Sequence, residues 1–497
     1  MTWPSLLELL TTAEMGRADR LTMDSGVPGI ALMEAAGGAV ADAARRRWRG
    51  GPVIVLAGPG NNGGDGWVAA RLLRDAGYPV TVALFGERSR IRGDAAEASR
   101  RFTGIVSAAD PAILAGAGLI IDALFGAGVR LPLDPSALEL IEAANNSGAV
   151  IVAVDLPSGV EGDGGTTGGP AIQADETVTF FRLKPGHVLL PGRLHCGAIT
   201  LAQIGIEPAV LSGIAPAAAL NRPGLWRDLW PEPAVGGHKY DRGHALVLSG
   251  PAQATGASRL AARAALRIGA GLVTLASPPD AMTVNAAHLT AIMLQLLDGP
   301  EGLRVIIKDR RISSLVMGPG LGVGEDTERL VETAQRAGRP LVLDADALTS
   351  FADEPSRLFG AIARSEGPTV LTPHDGEFAR LFPDIASGSR LAQARAAASK
   401  SGAVMLLKGP DTVVAAPDGR AAIADNAPPN LATAGAGDVL AGAVGGLMAQ
   451  GMPAFEAAAA AVWIHGEAAA AIGPGLIAED LPEALPQILR ELRSSEA

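Results

Sequence analysis

The chain has 497 residues, 48% of them hydrophobic and only 19% charged, which permits large buried cores and excludes general disorder. Its net charge is −11 and its longest basic cluster, Arg45-Arg46-Arg47-Trp48-Arg49, falls at the end of a predicted helix, so a nucleic-acid partner is disfavoured. Cys196 is the sole cysteine, which rules out an intrachain disulfide and argues against a thiolate zinc site.

At ~100–200 residues per domain the length suits two domains or three, with cores built from Ala, Val, Leu and Ile because only 4% of residues are aromatic. Helical periodicity opens the chain over Ser5 to Arg20 and again over Ile30 to Arg47. Met1 to Arg20 carries Glu8 and Glu14 and lacks a basic leader region, so a cytoplasmic protein is expected. Three units of one design follow. Pro52 to Ala57 runs into Gly58-Pro59-Gly60-Asn61-Asn62-Gly63-Gly64-Asp65-Gly66, with a helix predicted from Trp67; Leu119 to Asp122 runs into Ala123 to Gly128; Ala149 to Asp155 runs into Leu156-Pro157-Ser158-Gly159. Continuous apolar runs alternating with helices predict parallel strands buried on both faces, with ligands in the crevice beyond their carboxyl ends. Asn62, Asp65, Asp122, Asp155 and Ser158 should converge there, an oxygen set suited to a hard cation. An aspartate ending a strand is also an ordinary turn former. Asn-Asn-Gly-Gly-Asp-Gly is more telling, since so bare a stretch between strand and helix is costly unless a ligand needs the backbone.

Together Gly26-Val27-Pro28-Gly29, Leu32 to Gly37, Asn61 to Gly66 and Asp155 to Gly159, with Met15 and Asp19, resemble the NAD(P)H-hydrate epimerase (YjeF N-terminal) family over nearly this whole half. The resemblance implies a Rossmann-like fold. It places the hydrated cofactor on Asn61, Asn62, Gly63, Gly64 and Asp65, potassium on Asn62, Asp122 and Ser158, and the acid/base at Asp155. It adds a substrate segment of Gly126, Ala127, Gly128, Val129, Arg130, Leu131 and Pro132, where the usual adjacent Arg-Pro is split by Leu131.

From Glu207 to Val235 the chain thins into Pro, Ala and Gly, so the boundary is expected near residues 212 to 225, giving domains 1–215 and 225–497. The second half again alternates strand and helix. Ala245 to Leu248, Leu315 to Met317, Leu341 to Leu343, Thr369 to Leu371 and Val404 to Leu407 each end in a polar or glycine-rich loop, predicting another parallel αβα layer. Ala454 to Ile472 holds Glu456, His465 and Glu467 and reads as a buried alanine-rich helix, not a bilayer span.

The stretch Asn430 to Gly442 runs small residues up to one carboxylate, Asp438, at the start of a predicted helix. Gly435 and Gly437 permit a tight turn, and the helix N-terminus would face an anion. Asp438 is then placed to take a proton from an attacking hydroxyl, although the same pattern serves a plain helix cap. Singly, the Gly318 to Gly322 loop, His374 and Lys408 are weak signals with structural readings of their own.

Lys408-Gly409 followed by Gly435-Ala436-Gly437-Asp438 matches the ribokinase-like layout, and Thr372-Pro373-His374 with Gly376-Glu377 is similar to the ADP/ATP-dependent NAD(P)H-hydrate dehydratases of that superfamily. This resemblance implies a hydrate contacted by Ala257, Gly320, Gly322, His374 and Asp438. It implies an adenine nucleotide on Lys408, Gly409, Pro410, Asp411, Thr412, Gly435 and Gly437, with magnesium on its phosphates and Asp438 as the base. The family's threonine two residues before the aspartate is Ala436 here, so one hydroxyl contact is missing. Fold and function expected from both halves are therefore two three-layer αβα domains with mainly parallel sheets. One would epimerise hydrated NADH or NADPH, and the other would dehydrate the S form with ADP or ATP. A homo-oligomer without membrane partners is expected. A small-alcohol kinase and a non-catalytic binding module are the alternatives.

Overall fold

The computed structural model describes residues 6–385 and 387–494 and divides into two compact units between Ala218 and Ala219. The strands of the first are β1 (Glu8–Leu9), β2 (Val53–Ala57), β3 (Val80–Leu84), β4 (Ile105–Ala108), β5 (Leu119–Ala123), β6 (Val150–Val154), β7 (Glu176–Phe180) and β8 (Ala198–Ala202). Seven of them form a parallel sheet in the order β4-β3-β2-β5-β6-β7-β8. Every residue of β2, β5 and β7 is buried, as continuous apolar runs require when helices cover both faces. The strand order reverses between β2 and β5, which opens a crevice at their carboxyl ends.

Two helix boundaries differ from expectation. The first helix is Thr12–Asp24, not Ser5 to Arg20; Ser5 itself lies outside the described residues. Thr11 caps it, its Oγ1 accepting from the Glu14 amide while Glu14 Oε2 accepts from the Thr11 amide at 2.8 Å. Ahead of the cap, Leu9 bridges to Leu183 and the buried Glu8 carboxylate pairs with Arg182 Nε at 2.8 Å, so tertiary contacts extend this segment. The second difference is the helix Asn61–Asp75, which starts at the asparagines and not at Trp67. Close packing explains it: a Cβ on Gly63 would stand 1.9 Å from the Gly58 carbonyl oxygen, and one on Gly64 would stand 2.5 Å from the Met33 methyl.

The second unit contains β9 (Ala218–Leu220) from its second residue on, then β10 (His244–Leu248), β11 (Leu272–Ser277), β12 (Met293–Leu296), β13 (Ser314–Met317), β14 (Leu341–Leu343), β15 (Thr369–Leu371), β16 (Val404–Leu407), β17 (Val413–Ala415) and β18 (Ala421–Ile423). They run β9-β18-β17-β16-β15-β14-β13-β10-β11-β12. The ladder is parallel from β16 to β12, while β17 and β18 join it antiparallel as a meander. The order reverses at β10, between β11 and β13.

Three alanine- and glycine-rich helices cover this sheet: Thr255–Arg267, Ala436–Ala449 and Ala454–Ile472. A Cβ on Gly442 would lie 2.0 Å from the Ala261 carbonyl oxygen, so helix backbones replace the bulky side chains a more aromatic core would use. Gly442→Ala is therefore expected to destabilise the protein by about 1–3 kcal/mol despite the better helix propensity of alanine. A lower urea midpoint for the variant checks this. Among the described residues no helix is long and apolar enough to cross a membrane.

Candidate active sites

A cavity of about 590 Å³ opens at the carboxyl ends of the first sheet. Asn61, Asn62 and Asp65 reach it from the start of their helix, Gly126 to Val129 from the loop after β5, Asp155 from the end of β6, and Thr12 and Asp19 from the first helix. Asp155 adopts φ +63°, a left-handed conformation that costs a non-glycine residue about 1–2 kcal/mol. Its carboxylate is held on both oxygens. Oδ1 accepts from Lys184 Nζ at 2.6 Å and Thr179 Oγ1 at 3.0 Å, and Oδ2 accepts from the Ala127 amide at 3.1 Å.

Burial pushes the Asp155 carboxyl upward, but the Lys184 charge and hydrogen bond outweigh it and hold the group at about 2. Asp65 is driven the other way, well above the usual carboxylate range, by burial and then by the charges of Asp155 and Asp19. One cavity thus presents an ionised carboxylate and a carboxyl that favours its proton, the pairing from which acid and base roles are assigned.

Asp122 and Ser158 are buried and do not line this cavity. Ser158 donates its amide to Asp122 Oδ2 at 2.7 Å and its hydroxyl to Oδ1 at 2.6 Å, yet burial still pushes Asp122 up to about 6. Asn62 Nδ2 is buried without a hydrogen-bond partner. Gly63 and Gly64 serve helix packing as described above. Arg130, Leu131 and Pro132 do not line the cavity, so the displaced guanidinium is not brought to it. Sequence reasoning missed Lys184 and Thr179, and gave Asp19 no role. The signal for Lys184 was its place directly before Pro185-Gly186 after a strand.

In the second unit the loops after β10, β13, β14, β15 and β16 touch one another in turn, and Lys408 after β16 reaches the start of the helix Ala436–Ala449. Gly435 caps that helix at φ +89°, a conformation suited to glycine. A Cβ on Gly437 would stand 3.3 Å from Lys408 Nζ, so the bare backbone keeps the ammonium and the helix start together. Lys408 Nζ donates to Asp344 Oδ1 at 2.7 Å, a pair that sequence reasoning did not assign. Asp438 lies in the first turn, where burial and then the Asp344 charge push its carboxyl up to about 6 against the pull of Lys408.

The other expected residues are held by contacts of their own loops. The Gly322 amide donates to Asp346 Oδ2 at 2.8 Å, and a Cβ on Gly320 would be 3.4 Å from the Ala257 methyl. His374 caps the helix Asp375–Leu381, its Nδ1 accepting from the Gly376 amide at 2.9 Å, while its ring stays half exposed. Thr412 Oγ1 closes the Gly409 to Thr412 turn by donating to the Gly409 carbonyl at 2.7 Å. Asp411 is buried with Arg390 Nε 3.5 Å away, which makes it part of that turn's support.

The family described as NAD(P)H-hydrate dehydratase matches residues 245–490, and the one described as YjeF-related protein N-terminus matches residues 29–186. The chain is 38% identical to the bifunctional NAD(P)H-hydrate repair enzyme Nnr of Moorella thermoacetica, over 97% of each chain. It is 33% identical to the enzyme of the same description from Coxiella burnetii, over 95% of this chain and 97% of that one. A solved structure of the ADP/ATP-dependent NAD(P)H-hydrate dehydratase from Bacillus subtilis, co-crystallised with ATP and Mg2+, is 26% identical and covers 55% of this chain and 98% of that one, with a TM-score of 0.48. Two αβα units, each gathering carboxylates at the carboxyl edge of its own sheet, make this a two-site α/β enzyme. The chain belongs to the bifunctional NAD(P)H-hydrate repair enzyme family.

Proposed function

We propose that the chain restores hydrated nicotinamide cofactors, the first unit interconverting the R and S hydrates of NADH or NADPH and the second dehydrating the S form with ADP or ATP. The observation that carries this reading is Asp438, a half-buried carboxylate in the first turn of a glycine-capped helix, facing the Lys408–Asp344 pair. The hydrate carries a hydroxyl on the carbon beside the ring nitrogen. Asp438 removes its proton as the oxygen attacks the terminal phosphoryl group. The Lys408 ammonium and the helix N-terminus stabilise the charge that develops there. The nitrogen lone pair then expels phosphate, a far better leaving group than hydroxide, and loss of a ring proton restores the dihydronicotinamide. AMP and phosphate result from ADP, or ADP and phosphate from ATP.

In the first unit Asp155 is the acid/base group, and the cavity beside Asn61, Asn62 and Asp65 receives the hydrated ring. Potassium fits the mixed oxygens of Asn62, Asp122 and Ser158 better than a multivalent metal does. Asp122 is a buried carboxylate that accepts only from neutral groups, the Leu124 amide and the Ser158 amide and hydroxyl, so one positive charge would balance it. It would order the pocket floor. Magnesium would be held chiefly by the nucleotide phosphates near Asp344, whose Oδ1 already accepts from Lys408, and would neutralise phosphate charge.

Mixed hydrate epimers incubated with the protein, magnesium, potassium and either nucleotide test the proposal. Return of dihydronicotinamide absorbance from both epimers is expected, and failure to recover the S form would sink it. The pH dependence adds a second check. Asp438 must be ionised to act as the base, so kcat/KM for dehydration should rise with pH through about 6 and level off above.

A further inference from the structure

A short turn after β7 is built around Asp155 more closely than its place in the chain suggests. Lys184 is 2% exposed, and its Nζ donates to Asp155 Oδ1 at 2.6 Å and to Thr179 Oγ1 at 3.0 Å. Three residues on, His187 is fully buried. Its Nδ1 stands 2.9 Å from the Lys184 amide nitrogen and its Nε2 stands 2.7 Å from the Asp155 carbonyl oxygen. An amide can only donate and a carbonyl can only accept, so the ring has one consistent form. Nδ1 accepts from Lys184, and Nε2 carries the proton given to Asp155. A neutral imidazole is required, in keeping with burial and the Lys184 charge, which lower His187 to about 4.

The turn therefore grips Asp155 twice, at its carboxylate and at its own carbonyl. Asp155 is also one of the few non-glycine residues with positive φ, and such strain persists only where surrounding contacts over-determine it. The gripping atoms belong to one compact turn, Lys184-Pro185-Gly186-His187, in which a Cβ on Gly186 would be 2.6 Å from the Glu161 carbonyl oxygen. The turn is itself fixed from behind.

We propose that Lys184 and His187 are positioning residues for epimerisation, locking the Asp155 carboxylate in its left-handed, cavity-facing geometry. This rests on Asp155 being the acid/base group of the first unit. Lys184 does so through charge and direction, and His187 through the backbone. Asp19 and Asp65 face the same ammonium but cannot replace the grip, since neither bonds to Lys184 and both are pushed toward their protonated forms by burial.

The experiment compares Lys184→Met, Lys184→Arg, His187→Asn and Asp155→Asn in the full-length protein, with recovery of the S hydrate as an internal control for folding. For Lys184→Met, kcat for recovery from the R hydrate should fall about 100-fold with KM within about threefold, the split expected when an interaction matters mainly in the transition state. Lys184→Arg should regain at least about a tenth of the parental rate, and His187→Asn, which keeps one of the two ring contacts, should lose about tenfold. A parental kcat in Lys184→Met, or a loss entirely in KM, overturns the proposal. If Lys184→Met does not fold, a parental rate in His187→Asn overturns it instead and a tenfold loss sustains it. Parental recovery from the R hydrate in Asp155→Asn would instead refute the acid/base reading beneath it.

Discussion

Asp438→Asn is expected to slow dehydration of the S hydrate by about 10²–10⁴-fold, the range associated with a positioned proton acceptor. Asparagine keeps the size and shape of the side chain, so Gly435, Gly437 and the helix start should stay in place. What disappears is the capacity to take the hydroxyl proton, together with a negative charge beside Asp344 and Asp346. Losing that charge relieves like-charge repulsion, so the nucleotide should bind at least as well as before. The signature is thus a collapsed kcat with an unchanged or lower KM for ADP or ATP. Chromatography of the hydrates should show epimerisation at the parental rate in the same sample. Dehydration at full speed would remove Asp438 from the mechanism.

Asp155→Asn should give the reciprocal result. Recovery from the R hydrate should fall to the uncatalysed rate, while the S hydrate is restored normally. A mixture of the two would then recover in a fast partial phase followed by a very slow one. Asparagine is the informative replacement because φ is +63° there, a region asparagine tolerates better than most residues. Alanine would mix loss of the carboxylate with backbone strain. The variant also deprives the buried Lys184 of its anionic partner, leaving Thr179 and the Phe180 carbonyl as its contacts. Uncompensated buried charge is strongly destabilising, so Asp155→Asn should also melt at a lower temperature than the parent.

The parts of this protein visible in the sequence are those with local causes. β2, β5, β6, β10, β13, β14 and β16 announce themselves as apolar runs because both faces of a parallel sheet are covered. The first-turn position of Asp438 is likewise written in the glycines before it. What stayed hidden depends on partners far along the chain. Glu8 and Leu9 are extended and meet Arg182 and Leu183, contacts that a helical periodicity does not express. The asparagine-glycine run belongs to a helix because backbone from Gly58 presses against Gly63, a contact composition does not express. Nothing singled out Lys184, since its burial makes sense only beside Asp155, and Asp344 showed no sign that its carboxylate answers Lys408. β17 and β18 pair antiparallel, which the expectation of a purely alternating parallel layer left no place for.

The two carboxylates proposed to act in catalysis titrate far apart, at about 2 for Asp155 and about 6 for Asp438. On mild acidification the second loses its charge first, while the first stays ionised. Under the proposed function, damaged coenzyme would then keep epimerising without being drained, so a stalled reaction would leave both epimers in balance, whichever one the damage produced.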